Sequence, residues 1–235
     1  LSIDAAEKGG YDFFMAKEIF EQPKAVKDTV SPLIKDGKIC LPFSFPENFL
    51  EELKRIYIVA CGSAYHVGMT AKYIIEDMAR IPVTVDIASE FRYRNPIIEK
   101  GDLCIFVSQS GETADTLASL REAKKRGAFT LSIVNVLFST IARESDGVIY
   151  TNAGAEIAVA TTKAFSAQLG DSYVLSAFLA QQKGLMSGEQ IKSFTDEILA
   201  LPEKIKNSLE CDEITQKLSK NIATKEHIFF IGRGI

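Results

Sequence analysis

A chain of 235 residues has room for one generous α/β domain with extensions, or for two small domains. With 46% hydrophobic and 25% charged residues, its composition is that of an ordinary soluble globular protein, not of a disordered or fibrous one. A net charge of −4 provides no electrostatic footprint for nucleic acid or an anionic membrane.

The first thirty residues read as a connecting segment. Gly9-Gly10 is a break, Tyr11 to Phe20 is amphipathic with Phe14, Met15 and Ile19 on one side, and Pro23 falls near its end. Pro32, Gly37, Pro42 and Pro46 make residues 31–48 irregular, with at most short helical turns. From residue 55 a regular alternation begins. Ile56-Tyr57-Ile58-Val59-Ala60 is an apolar strand, followed by the small turn Cys61-Gly62-Ser63-Ala64 and a helix to about Ala79. Strands are expected again at Val83–Ile87, Leu103–Val107, Phe129–Val134 and Gly147–Tyr150, with helices at 112–126 and 139–144 between them. These strands are apolar throughout, as when helices cover both faces, so the pattern predicts a parallel, doubly wound sheet.

After residue 160 the pattern turns helical, over about 161–183, 187–208 and 211–223. Ile228-Phe229-Phe230-Ile231-Gly232-Arg233-Gly234 then repeats the earlier layout of apolar strand into glycine turn. Residues 225–235 are therefore expected to open a second, similar domain; the alternative is a final edge strand. Lys124-Lys125-Arg126 is the densest basic cluster, and it reads as a helix end capped by Gly127.

Cys40, Cys61, Cys104 and Cys211 form no CxxC pair or regular framework, which fits reduced thiols and a cytoplasmic location. His66 and His227 stand far apart without an HExxH pattern, so no metal site is expected. The strongest apolar runs are strand-length, with neither a signal-peptide pattern nor a membrane-spanning run.

In an open parallel sheet, ligands bind beyond the carboxyl ends of the strands where the strand order reverses. For the order 2-1-3-4-5 that crevice lies between the first and third strands, which feed the two most unusual loops, 61–64 and 108–113. The second supplies hydroxyls from Ser108, Ser110 and Thr113, the Gln109 amide, and Gly111 for close backbone approach. Unpaired N–H groups at the following helix start complete an anion site, and the absence of lysine separates it from a Walker-type loop. Each charge-assisted hydrogen bond contributes about 1.5–3 kcal/mol, against an association cost of about 4–15 kcal/mol. Four or five such bonds leave a modest affinity, suited to a metabolite. Capping alone needs one hydroxyl, not three and an amide. Glu112 argues mildly against an anion, although a first-turn glutamate also stabilises its helix. Gly62 and Ser63 permit close approach and one more hydroxyl, while Cys61 has no local base and reads as packing. After the fifth strand, Thr161 is either the N-cap of the long helix or part of a loop over bound ligand.

The segments Ser89-Glu90-Phe91-Arg92-Tyr93-Arg94, Ser108 to Leu117, Thr162-Lys163-Ala164-Phe165 and the leader Tyr11 to Pro23 resemble the isomerase portion of the glutamine–fructose-6-phosphate aminotransferase family. The resemblance covers nearly the whole chain. It implies a flavodoxin-like sugar isomerase (SIS) domain, a five-stranded parallel sheet with a helical C-terminal extension. It further implies that Ser108, Gln109, Ser110 and Thr113, with Gly111, hold the phosphate of fructose 6-phosphate or glucosamine 6-phosphate. Gly62, Ser63 and Ala64 would lie at the sugar, with Ser63 where threonine is common in the family and Ala64 where serine is common. Val159 and Thr161 match the segment at the sugar's far side. The resemblance places residues 1–30 as a linker from a glutaminase domain, 31–224 as the first SIS domain, and 225–235 as the opening of a second. The family's isomerising residues lie in that second half and none matches here, so no catalytic residue is expected. No metal or nicotinamide cofactor is implied; a homodimer is. The alternatives are a fructosamine-6-phosphate deglycase-like protein and a sugar-phosphate-sensing SIS module.

Overall fold

A computed structural model describes residues 7–232. Its centre is a five-stranded parallel sheet formed by β3 (Ile56–Ala60), β4 (Val83–Ile87), β5 (Leu103–Ser108), β6 (Phe129–Val134) and β7 (Gly147–Tyr150). The strand order is β4-β3-β5-β6-β7, the 2-1-3-4-5 arrangement expected from the sequence. In register, Ile58 stands opposite both Val85 and Ile105, and Ile105 opposite Leu131.

Continuous apolar strands arise because successive side chains enter two different cores. Ile56, Ile58, Leu103, Ile105, Leu131 and Ile133 face the layer of α2 (Gln22–Val30), α4 (Ser63–Met78), α8 (Lys163–Gln182) and α9 (Gly188–Ser208). Their neighbours Tyr57, Val59, Cys104, Phe106 and Val134 face α5 (Ala88–Tyr93), α6 (Ala114–Lys125) and α7 (Thr140–Glu144). On α4, a side chain at Gly68 would come within 2.9 Å of Ile58 and 3.0 Å of Val85, so that glycine lets the helix lie close to the sheet.

The leader is more integrated than the term connecting segment suggests. Helix α1 (Phe14–Phe20) leads into α2, whose Ala25, Val26, Thr29 and Val30 are all buried. Val26 and Val30 belong to the same core as the sheet, so packing does not change at residue 30. In α1 the most buried residue is Glu18, while Met15 is exposed, contrary to the expected apolar face. The reason is hydrogen bonding: the Glu18 carboxylate accepts from the backbone N–H of Ile157 at 2.6 Å and of Ala158 at 3.2 Å. Within the region read as irregular, Ile34–Lys35 (β1) and Lys38–Ile39 (β2) form a small antiparallel hairpin. Asp36 and Gly37, both at positive φ, make its two-residue turn. Phe49–Glu52 forms the short α3.

At the C-terminal side, α9 begins with a capping box in which Ser187 and Gln190 satisfy each other's backbone N–H groups. Helix α10 (Asp212–Ile222) buries no residue and leaves Ile214, Leu218 and Ile222 exposed. Residues 226–232 have no regular structure, and Phe229, Phe230 and Ile231 are open to solvent. The alternative of a final edge strand is thus not realised by residues 228–231; Arg233 and Gly234 lie outside the described residues.

Candidate functional site

The ends of β3 and β5 lie side by side, with Ala60 opposite Val107. From β3 the chain enters α4 in one helix layer, whereas from β5 it enters α6 in the other. Connections that part to opposite faces leave a crevice between them. Both sequence-selected loops, 61–64 and 108–113, open onto it.

In the second loop, Ser108 is buried, and its Oγ accepts the Gly111 N–H at 3.0 Å and lies 3.3 Å from Thr113 Oγ1. The Ser110 hydroxyl accepts the Glu112 N–H at 3.2 Å. Gly111 has φ +65, and a Cβ there would sit 2.0 Å from Ser139 Oγ and 2.5 Å from Ser139 Cβ. Both the backbone conformation and the contact require glycine. Helix α6 starts at Ala114 with Thr113 as its N-cap residue, yet no side chain caps it. The hydroxyls therefore shape the loop instead of closing the helix end, and the first-turn N–H groups of α6 remain without a side-chain cap. A loop with such groups and no basic residue can take an anion through neutral donors.

Glu112 does not serve α6, as the sequence reading allowed. It precedes the N-cap, and Asp115 is the acid of the first turn. The Glu112 carboxylate turns to α7 and accepts the Thr140 N–H at 2.6 Å. That hydrogen bond is the main reason its pKa lies below the ordinary glutamate value, with the Thr140 side chain next and Arg143 a smaller contributor. The same region grips the loop twice more: Ile141 N–H donates to the Gly111 carbonyl at 3.0 Å, and Asn135 N–H to the Gln109 carbonyl at 3.2 Å.

In the first loop, Gly62 takes φ 56 at the start of α4, again without a side-chain cap. Gly62 and Ser63 are exposed and Ala64 is half-buried. The Thr116 hydroxyl donates to Cys61 Sγ at 3.8 Å, a contact that joins this loop to α6 and gives Cys61 a packing role.

The third segment is organised by residues the sequence reading did not select. Thr162, not Thr161, is the N-cap residue of α8, and its side chain caps nothing. The capping acceptor is Glu156, which takes the N–H of Thr162 at 2.9 Å and of Ala164 at 3.2 Å, and the Thr161 hydroxyl at 2.8 Å. Val159 is fully exposed. Among the described residues no hydrogen bond joins Val159 or Thr161 to the 108–113 loop; Asn135 ties that loop to residues 151–154, just after β7. Besides holding Gln109, Asn135 accepts from the Thr151 hydroxyl and the Ala153 N–H, and donates to the Gly154 carbonyl. An asparagine one residue past an apolar strand was the only sequence signal for that bridge.

A separate cavity of about 310 Å³ lies between α1, α2 and residues 152–155. It is lined by Lys17, Lys24 and Lys163 with Glu18, Glu21 and Asp28, and by none of the sequence-selected site residues. Among the described residues, no group of three or more His, Cys, Asp or Glu side chains is placed to hold a metal ion, and no helix is long and apolar enough to cross a membrane. All four cysteines are unpaired.

A family model described as the SIS domain matches residues 49–177. The chain is 54% identical over its whole length to a glutamine–fructose-6-phosphate aminotransferase (isomerizing) of Clostridium tetani, of which it spans 39%. It is 52% identical, over 99% of its length, to the enzyme of the same name from Clostridium acetobutylicum, of which it spans 38%. Among solved structures, the C-terminal domain of glucosamine-fructose-6-phosphate aminotransferase from Francisella tularensis superposes with a TM-score of 0.91 at 43% identity, covering 97% of this chain and 65% of that one. The chain thus spans well under half the length of the curated relatives it matches.

Proposed function

This chain belongs to the SIS domain family, and on that premise we propose that it is the sugar-phosphate-binding part of an enzyme making glucosamine 6-phosphate from fructose 6-phosphate and glutamine. The observation that carries the reading is the uncapped, lysine-free loop 108–113 at the strand-order reversal. In this reading Ser108, Gln109, Ser110, Gly111 and Thr113 surround the phosphate, whose charge meets backbone N–H groups and the positive end of α6. Gly62, Ser63 and Ala64 contact the sugar from the neighbouring strand end. Val159 and Thr161 approach it from the far side. Alanine at position 64 offers no hydroxyl, so that contact with the sugar is either lost or taken by backbone groups.

Isomerisation needs an acid–base pair positioned at the sugar carbons, whereas the carboxylates of these loops are held by backbone N–H groups, Glu112 by Thr140 and Glu156 by Thr162. The chain therefore binds substrate or product without turning it over. Residues 1–30 would lead from a glutaminase domain and residues 225–235 into a second SIS domain, with the intact enzyme a cytoplasmic homodimer. Titration of the isotope-labelled chain with glucosamine 6-phosphate tests the site: amide signals of residues 108–113 should move together. Shifts elsewhere with none in that loop would remove the assignment.

A further inference from the structure

We propose that Glu112 is a positioning residue for phosphate binding, its carboxylate holding the 108–113 loop against the start of α7 so that the loop keeps its anion-accepting shape. The inference rests on the functional reading above and adds a residue that acts through its neighbours. A carboxylate inside an anion-binding loop is a repulsive charge, and simple electrostatics would have it weaken the site. Its placement says what it does instead. Thr140, the first residue of α7, donates its N–H to Glu112 at 2.6 Å, and Ile141 donates to the Gly111 carbonyl at 3.0 Å. Gly111 lies against Ser139, the N-cap residue of α7, too closely for any side chain. Three consecutive residues, 139–141, thus hold two consecutive loop residues. The loop has no lysine or arginine to attract phosphate across a distance. Its affinity depends on where its N–H groups and hydroxyls point, so whatever fixes the loop sets the affinity. The dipole role open to a helix-start acid is filled by Asp115, which leaves Glu112 to the contact with α7. The depressed pKa agrees with a carboxylate held by a backbone N–H.

Charge and position predict opposite signs, and that makes the inference testable. Glu112→Ala removes a negative charge, which on charge alone would tighten anion binding. Loss of positioning instead weakens binding of glucosamine 6-phosphate, by about three- to tenfold, the scale of a lost cap. Glu112→Gln keeps an acceptor for the Thr140 N–H and should bind at least as well as the parent chain. Thr140→Pro deletes the donor and leaves Glu112 in place. Proline is tolerated at the first helical position, and Ser139, at φ −58 and ψ 161, already has the conformation a residue before proline prefers. That variant should match Glu112→Ala, Thr140→Ala, which keeps the N–H and loses only the hydroxyl, should lose less, and the double variant Glu112→Ala/Thr140→Pro should lose no more than either single one. Unchanged or tighter binding by Glu112→Ala overturns the inference. Amide hydrogen exchange at Gly111 and Ile141 gives a readout without ligand: Glu112→Ala should accelerate it and Glu112→Gln should not. Should the parent chain fail to bind glucosamine 6-phosphate while exchange behaves this way, the functional reading falls and the positioning role stands. Exchange unaffected by Glu112→Ala overturns the positioning role whatever the ligand does.

Discussion

At the scale of single residues, the 108–113 loop is held by contacts that tolerate almost no added atoms. Gly111 is the clearest case, because two independent constraints meet there: φ +65, and Ser139 Oγ at 2.0 Å from the position of a Cβ. Gly111→Ala should destabilise the fold by about 2–4 kcal/mol, the sum of left-handed strain and overpacking. Adding Ser139→Gly should recover the overpacking share and leave the backbone share. Chemical denaturation of both variants measures the split, and equal stabilities would mean that the contact contributes nothing. The composition of this loop was legible in the sequence, where three hydroxyls and a glycine after a buried strand carried the expectation of an anion site. The destination of Glu112 was not, because its partner Thr140 is 28 residues away and depends on how α7 docks. Asn135 was hidden for the same reason: its partners come from two different loops.

At the scale of elements, strands β3, β4, β6 and β7 were readable to the residue; in β3 an unbroken apolar run ending at a small-residue turn leaves little choice of boundary. The β1–β2 hairpin went unread although Asp36-Gly37 is a strong turn signal, because its flanking strands are only two residues each. The reverse held for residues 228–231, whose apolar pattern is that of a strand but which pair with nothing among the described residues. Helix α8 carries a feature that periodicity conceals. Asp171 is completely buried, neither carboxyl oxygen has a hydrogen-bond partner, and burial raises its pKa well above the ordinary aspartate value. A raised folded-state pKa means the folded chain holds a proton that the unfolded chain releases. Stability from this group is therefore complete below the unfolded pKa of about 4 and declines as pH rises toward the folded value. Asp171→Asn should flatten that decline, so its stability relative to the parent chain rises from pH 5 to pH 8. Urea denaturation at both values checks it; a pH-independent difference would show that Asp171 in the folded chain is already ionised at pH 5.

At the scale of the whole molecule, two helix layers on one sheet create the crevice, and the leader is part of the layer that supports it. Thr29 donates to the Thr151 carbonyl, Lys163 pairs with Glu21 at 2.6 Å, and Glu18 holds residues 157 and 158. Through these contacts α1 and α2 fasten the segment after β7, where Val159 and Thr161 lie. The sequence alone suggested a tether, because Gly9-Gly10 and Pro23 punctuate it. Packing gives a different expectation for truncation. A chain beginning at residue 31 loses Val26 and Val30 from the core, each worth about 1.5–3 kcal/mol of burial, and uncovers the faces of α8 and α9 that α2 meets. A loss of about 3–6 kcal/mol is a large part of the margin of about 5–15 kcal/mol of an ordinary domain. The 31–235 chain should therefore show a much lower urea midpoint or no cooperative transition, whereas a 12–235 chain, which keeps Glu18, Glu21 and α2, should unfold close to the full-length midpoint. If the 31–235 chain matched the full-length midpoint and slope, α2 would be an appendage and the segment after β7 would not depend on it.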